Sequence, residues 1–146
     1  MNELVEALKK AQATSFAFYL KAHNYHWNVE GPNFAEYHEF LGDLYAEVFG
    51  AVDAIAEQCR TLDAYVPGSF SRFQELSSIE DELSVPSGRA MMAKLLADNA
   101  RVITDLTAAY RAAEAVGKVG IANFLQDRIG AHDKHGWMLR SYTKGE

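Results

Sequence analysis

Residues 67–86 read PGSFSRFQELSSIEDELSVP, a mixed and polar stretch closed by a proline at each end, with room for one short helix over Phe70 to Leu76. Apolar residues recur every three or four positions on both sides of it, so its length decides how two pairs of helices are joined. A tight turn would make the flanking helices antiparallel neighbours. A stretch of this length with its own helical patch carries the chain back along the molecule instead.

Upstream, residues 34–64 place Phe40, Leu41, Leu44, Val48, Val52, Ile55, Cys59 and Leu62 at helical spacing. A helix of ~30 residues rising 1.5 Å per residue is about 45 Å long. Before it, residues 3–28 carry Leu4, Ala7, Leu8, Ala11, Phe18, Ala22 and Tyr25 at the same spacing, with Asn2 placed to cap the start. Gly31-Pro32-Asn33 separates the two, because proline cannot continue a helix and Asn33 can cap the next one. Downstream, residues 87–116 present Met91, Leu95, Ala100, Val102, Ile103, Leu106 and Tyr110 as an apolar side. Gly117-Lys118-Val119-Gly120 interrupts the pattern, which resumes through Ile121, Phe124, Leu125, Ile129, Trp137 and Leu139.

A short turn, a long connection and a short turn match the all-α four-helix bundle with a single crossover, the ferritin-like arrangement among known bundles. The alternative is an up-and-down bundle with a floppy second loop. No stretch alternates with a two-residue period for long, so no sheet is expected.

The 146 residues suit a single domain, 1–146, with a sizeable core. A composition 49% hydrophobic and 23% charged is that of a folded globular chain. No apolar run approaches the ~20 residues needed to cross a bilayer, so the expected location is cytoplasmic and no membrane partner is expected. The single cysteine, Cys59, falls among apolar neighbours and reads as a buried, inert thiol. A formal net charge of -6 repels phosphate backbones, which makes DNA binding unlikely.

The five histidines stand at 23, 26, 38, 132 and 135. An intramolecular di-iron bundle needs Glu-x-x-His pairs on two helices, and none exists. The zinc-protease pattern fails too, because His38-Glu39 is followed by Leu41 and Gly42 where a second histidine is required. Asp53 and Glu57, four apart, project from one helix face and could share metal ions. Taken alone, such a pair is a solvated helix face. His26 and His38 flank the Gly31-Pro32 turn, where an antiparallel hairpin brings them together. His38 and Asp53 are fifteen residues apart on one helix, about 22 Å along its axis, too far to hold one metal. If the four residues form one site, a second copy of the chain must supply half of it, across a two-fold axis.

The stretch AHNYHWNVEGPNFAEYHEFLGDLYAEVFGAVDAIAEQCRTLD, residues 22–63, resembles the Dps-like mini-ferritins in its His-Trp-Asn turn, its second histidine twelve residues on and its later Asp-x-x-x-Glu. His132-Asp133-Lys134 followed by Trp137-Met138-Leu139 is similar to that family's closing segment. The resemblance implies a cytoplasmic ferroxidase and iron store, a hollow shell of twelve identical subunits active against oxidative stress. It implies that His26 and His38 of one subunit and Asp53 and Glu57 of its two-fold mate bind iron(II). Hydrogen peroxide or oxygen oxidises the iron there, and the ferric mineral collects inside. Trp27 corresponds to a tryptophan beside the site that packs against the ligands or donates an electron.

Two departures stand out. The family commonly has an aspartate four residues after the second histidine, where this chain has Gly42. Asp43 is adjacent but rotated by about 100° around the helix, so the second iron position is expected to be weak. DNA-binding members carry a long lysine-rich tail, which has no counterpart here. Glu39, Asp43 and Glu47 form an acidic stripe that is either solvated or, on the resemblance, faces the cavity and nucleates mineral. Asp127 is a candidate pore residue, although the commonly acidic pore position matches Asn123. His23 either packs or orients a ligand, and His132 and His135 read as structural or surface residues. The loss at Gly42 keeps two alternatives open: a structural or DNA-associated shell with a weakened metal site, and zinc binding without redox turnover.

Overall fold

A computed structural model describes residues 1–145, and its elements are all helices: α1 (Asn2–Asn28), α2 (Phe34–Arg60), α3 (Phe70–Leu76), α4 (Gly88–Ala115) and α5 (Val119–Thr143). The short helix in the crossover has the expected bounds, and the side chain of Ser69 caps it by accepting from the Arg72 N–H. Ser87 caps α4 in the same way, accepting from the Ala90 N–H. Asn2 does not cap α1: it lies inside the helix, and Met1 stands at the cap position with no side-chain bond. Asn33 holds the cap position of α2, again without a side-chain bond. Helix α2 also stops short of residue 64, at Arg60, because Asp63 turns left-handed at φ 60° and the Ala64 N–H reaches back to the Cys59 carbonyl.

The start of α4 lies against the α1–α2 turn. A Cβ built on Gly88 would stand 2.8 Å from the Tyr37 ring and 3.3 Å from Val29, so the backbones meet there only because position 88 is glycine. Helix α4 therefore sets out from the same end as α2 and runs parallel to it, which is the single-crossover topology. α1 packs along both α2 and α4, α5 packs along α4, and α3 rests on α1. The shared core holds Leu4, Leu8, Phe18, Tyr25, Leu41, Leu44, Ile55, Met91, Met92, Leu95, Leu106 and Leu125, all nearly inaccessible. Each such aliphatic or aromatic side chain contributes roughly 1.5–3 kcal/mol by leaving water. Cys59 is buried with them.

Polar bonds fasten the crossover to this core. Gln12 donates to the Pro67 carbonyl at 3.2 Å. Thr14 and Ser78 both donate to the buried Asp105 carboxylate at 2.7 Å, and the Ser78 N–H donates to Thr14. Further on, Tyr25 and Lys94 converge on Glu82 at 2.6 and 2.9 Å. Asp98, Asn99 and Asp105 are accordingly buried on α4, whereas Ala100, expected on the apolar side, is exposed, as is Trp137 on α5.

A second polar network joins α2, α4 and α5. Arg128 and His135 both bond to Glu47, the latter at 2.7 Å. His132, fully buried, lies between Arg128 at 3.2 Å and Asn99 at 2.8 Å, while Asn99 donates to the His132 carbonyl. Burial, helped by the neighbouring Arg128 charge, pushes the His132 imidazole down to about 3. Burial alone would raise Glu47, but the hydrogen bonds from His135 and Arg128 outweigh it and hold the carboxyl at about 2. Glu82 is also held at about 2, first by the Tyr25 hydroxyl and then by Lys94 and Ser84.

Acid stability follows from these shifts. All three groups bind protons more readily in the unfolded chain, so each favours folding at higher pH and loses that contribution as pH falls. His132 acts from its ordinary value of 6.5 down to about 3, and the two carboxyls act from 4.5 down to about 2. Thermal unfolding should therefore show a melting temperature that begins to fall below pH 6.5 and falls more steeply below 4.5. Glu82→Gln should flatten the lower limb, and a curve level from neutrality to pH 3 would contradict the assignment.

Candidate metal centre

His26 sits in the last turn of α1 and His38 in the second turn of α2, brought together by a turn in which Gly31 takes φ +111° and the Phe34 N–H returns to the Gly31 carbonyl. Their rings stack with centroids 3.8 Å apart and planes 17° from parallel. The hydrogen bonds between them are reciprocal: His26 Nδ1 to the His38 carbonyl at 2.7 Å, and His38 Nδ1 to the His26 carbonyl at 2.8 Å. A carbonyl only accepts, so both Nδ1 atoms carry the proton and this network assigns the lone pair of each ring to Nε2. With Nδ1 of each ring engaged, Nε2 is the nitrogen left for a metal, at a half-buried position.

Gly42 lies under this pair. A Cβ at position 42 would stand 3.2 Å from His26 Cε1 and 3.3 Å from Nδ1, tighter than ordinary contact. Phe34 stacks on His38 with centroids 5.0 Å apart. Behind His26, the His23 ring is sandwiched between Tyr45 and Trp27, each at 3.8 Å, and Tyr45 meets His26 edge-on at 5.2 Å. His23 Nδ1 is 2.9 Å from the Tyr19 hydroxyl. Burial lowers the His23 pKa, with a further contribution from His26. Trp27 stays 60% exposed while stacking on His23. The sequence contained a signal for this stack, since Tyr19, His23 and Trp27 recur every four residues along one face of α1.

Asp53 and Glu57 are exposed on α2, and neither side chain has a hydrogen bond or ion pair among the described residues. Among those residues no three His, Cys, Asp or Glu side chains gather closely enough to hold a metal. The chain brings His26 to His38 and sets Asp53 beside Glu57, but does not bring the two pairs together. Of the acidic stripe, Glu39 and Asp43 are exposed and line a cleft with Glu36, Phe40, Trp137 and Tyr142, whereas Glu47 is taken up by Arg128 and His135. Asp127 and Asn123 are both exposed on α5, where Asn123 lines a cleft with Tyr110 and Glu114. His132 and His135 have structural partners, which the sequence reading did not identify because Glu47 and Asn99 lie on other helices.

Comparison with known proteins matches the ferritin-like domain family over residues 5–145. A low temperature-induced protein of Nostoc sp. is 32% identical, with 98% of this chain and 81% of that protein covered. The crystal structure of Dps from Staphylococcus aureus superposes with a TM-score of 0.95 at 28% identity, covering 100% of this chain and 98% of that one. The crystal structure of the Dps protein from Vibrio cholerae, described as a member of a broad superfamily of ferritin-like diiron-carboxylate proteins, gives 0.93 at 27% identity, covering 98% and 90%. With its single-crossover bundle and its histidine-bearing hairpin, the chain belongs to the ferritin-like family as a Dps-like mini-ferritin.

Proposed function

We propose that this protein oxidises iron(II) with hydrogen peroxide or oxygen and stores the ferric product inside a closed shell of identical subunits, most simply twelve, in the cytoplasm. The observation that carries this reading is the stacked histidine pair, each ring fixed through Nδ1 on the other's backbone carbonyl, with no third ligand beside it from the same chain among the described residues. Membership of the ferritin-like family makes iron the cargo that fits. Imidazole nitrogens with carboxylate oxygens suit iron, and Asp53 with Glu57 of a two-fold mate would complete the set.

In this reading His26 and His38 hold iron(II) through Nε2, and their Nδ1 protons, donated to backbone carbonyls, fix the orientation of the rings. Asp53 and Glu57 neutralise the charge that grows as iron(II) becomes iron(III), so the ferric state is favoured. Glu39 and Asp43, exposed and unpaired by any base among the described residues, are the acids suited to nucleating mineral. Glu47 is less suited while Arg128 and His135 occupy it. Asp127 would raise the local concentration of iron(II) if it borders a pore.

Apoprotein mixed anaerobically with iron(II) and then given peroxide should accelerate the rise of ferric absorbance well beyond buffer. His38→Ala and Glu57→Ala should each remove most of the acceleration. No acceleration by the native chain would sink the ferroxidase reading.

The split arrangement has its own consequence. Shells reassembled from a mixture of His38→Ala and Glu57→Ala chains should regain part of the rate, because each mixed pair contains one site with all four ligands. An intrachain site predicts that mixing restores nothing.

Gly42 favours a second reading, zinc binding or a structural or DNA-associated shell without turnover, since it removes a carboxylate from the site. Anaerobic iron(II) titration followed by calorimetry distinguishes the two. On the proposed reading, native protein binds one iron tightly per site, and Gly42→Asp adds a second tight ion once the His26 ring shifts by a few tenths of an ångström. Tight zinc, no iron oxidation and no gain from Gly42→Asp would favour the alternative.

A further inference from the structure

We propose that Tyr19, hydrogen-bonded to His23 beside the histidine pair, supplies the second electron when peroxide meets a site holding one iron. This deepens the ferroxidase reading and rests on it. Peroxide needs two electrons to become water, whereas one iron(II) supplies one, and a single-electron transfer releases hydroxyl radical. On that reading Gly42 offers no carboxylate to a second iron, so a site filled once needs another donor within reach.

The aromatic cluster meets that need. Tyr45 touches the edge of His26 at 5.2 Å, lies 6.0 Å from Tyr19, and stacks face to face on His23 at 3.8 Å. Rings in contact form a continuous route from Tyr19 to the imidazole that holds iron. What singles out Tyr19 is its proton. A phenol that loses an electron becomes a very strong acid, so oxidation is far easier where a base already accepts its hydrogen bond. The Tyr19 hydroxyl has His23 Nδ1 at 2.9 Å, within the range for direct proton transfer. His23 is half-buried and held between the Tyr45 and Trp27 rings, which keeps its Nδ1 beside the Tyr19 hydroxyl. The Tyr45 hydroxyl has no hydrogen-bond partner among the described residues.

The step balances. One peroxide, one iron(II), the Tyr19 phenol, neutral His23 and two protons from solvent give iron(III), the Tyr19 phenoxyl radical, protonated His23 and two waters. The O–O bond breaks, iron and the phenol each lose one electron, and the phenol proton moves to His23 Nδ1. When the ferric ion leaves for the mineral and another iron(II) arrives, that ion returns an electron to the phenoxyl and His23 returns the proton. Two irons are then oxidised per peroxide in succession at a single tight position.

The test uses the assembled native protein given less iron(II) than sites, then an equal amount of peroxide without oxygen, and frozen within milliseconds. Electron paramagnetic resonance should show a tyrosyl radical, narrowed by ring-deuterated tyrosine. Tyr19→Phe should reduce it to background and raise trapped hydroxyl radical several-fold. His23→Leu should lower it several-fold, and Tyr65→Phe, at an exposed residue outside the cluster, should leave it intact. An iron-free arm oxidises the apoprotein with photogenerated ruthenium(III) tris-bipyridine, where the same radical should form and vanish in Tyr19→Phe. A radical that survives Tyr19→Phe, or a tryptophan signal lost in Trp27→Phe, overturns the assignment. Iron oxidation without a Tyr19 radical in either arm defeats this inference alone, whereas absence of any accelerated iron oxidation defeats the ferroxidase reading and this one with it.

Discussion

Two hydrogen bonds crossing the α1–α2 turn organise everything around the site. His26 and His38 each donate Nδ1–H to the other's backbone carbonyl. The His26 carbonyl lies in the last turn of α1, where carbonyls run out of intrahelical partners, so His38 satisfies a helix end while it fixes its own ring. The same bonds choose the tautomer, and with it the nitrogen that is free to bind metal. A single pair of contacts thus closes the hairpin, completes a helix terminus and prepares two ligands. Neither ring can turn without breaking both a bond of its own and the stacking with its partner.

The rest of the bundle holds that hairpin rigid. Gly88 lets α4 approach the turn, and Tyr25, one residue before His26, reaches the crossover through Glu82. Further along α2, Glu47 is gripped by Arg128 and His135, so α2 is anchored to α5 between the histidine end and the Asp53–Glu57 end. This anchoring matters for a site shared between copies. His38 and Asp53, about 22 Å apart along α2, bring their two pairs to opposite numbers together only if that helix is a rigid spacer. The polar network supports that stiffness through three helices.

The fold was largely legible because apolar periodicity and the Gly and Pro breaks act locally, and the crossover helix over Phe70–Leu76 has a serine cap that any reading of its start can use. The misplaced details came from tertiary contacts. Asp98, Asn99 and Asp105 belong to the buried side of α4 because Lys21, His132 and Thr14 reach them from distant parts of the chain, while Ala100 beside them faces out. The apolar spacing runs on through Leu62 and so overshoots the end of α2, because Leu62 packs on the core from the turn that the left-handed Asp63 closes. At the site, the hairpin neighbourhood of His26 and His38 followed from a turn and two positions. Their tautomers did not, because these depend on carbonyl directions that no side-chain pattern encodes.

On the proposed reading, the division of ligands between copies ties chemistry to assembly. A lone protomer offers two imidazoles at one place and two solvated carboxylates at another, and each pair alone is a weak site for iron(II) in water. Joining two copies supplies opposite halves at once, so affinity appears only at an interface that also belongs to the shell. Iron is then oxidised where the product has an enclosed destination, and free subunits do not generate ferric ion in open solution. Gly42 limits the same site in the other direction. By leaving room for the His26 ring in place of a carboxylate, it reduces the charge available to a second ion. Two-electron chemistry at such a site has to find its second electron in the protein or wait for the next iron.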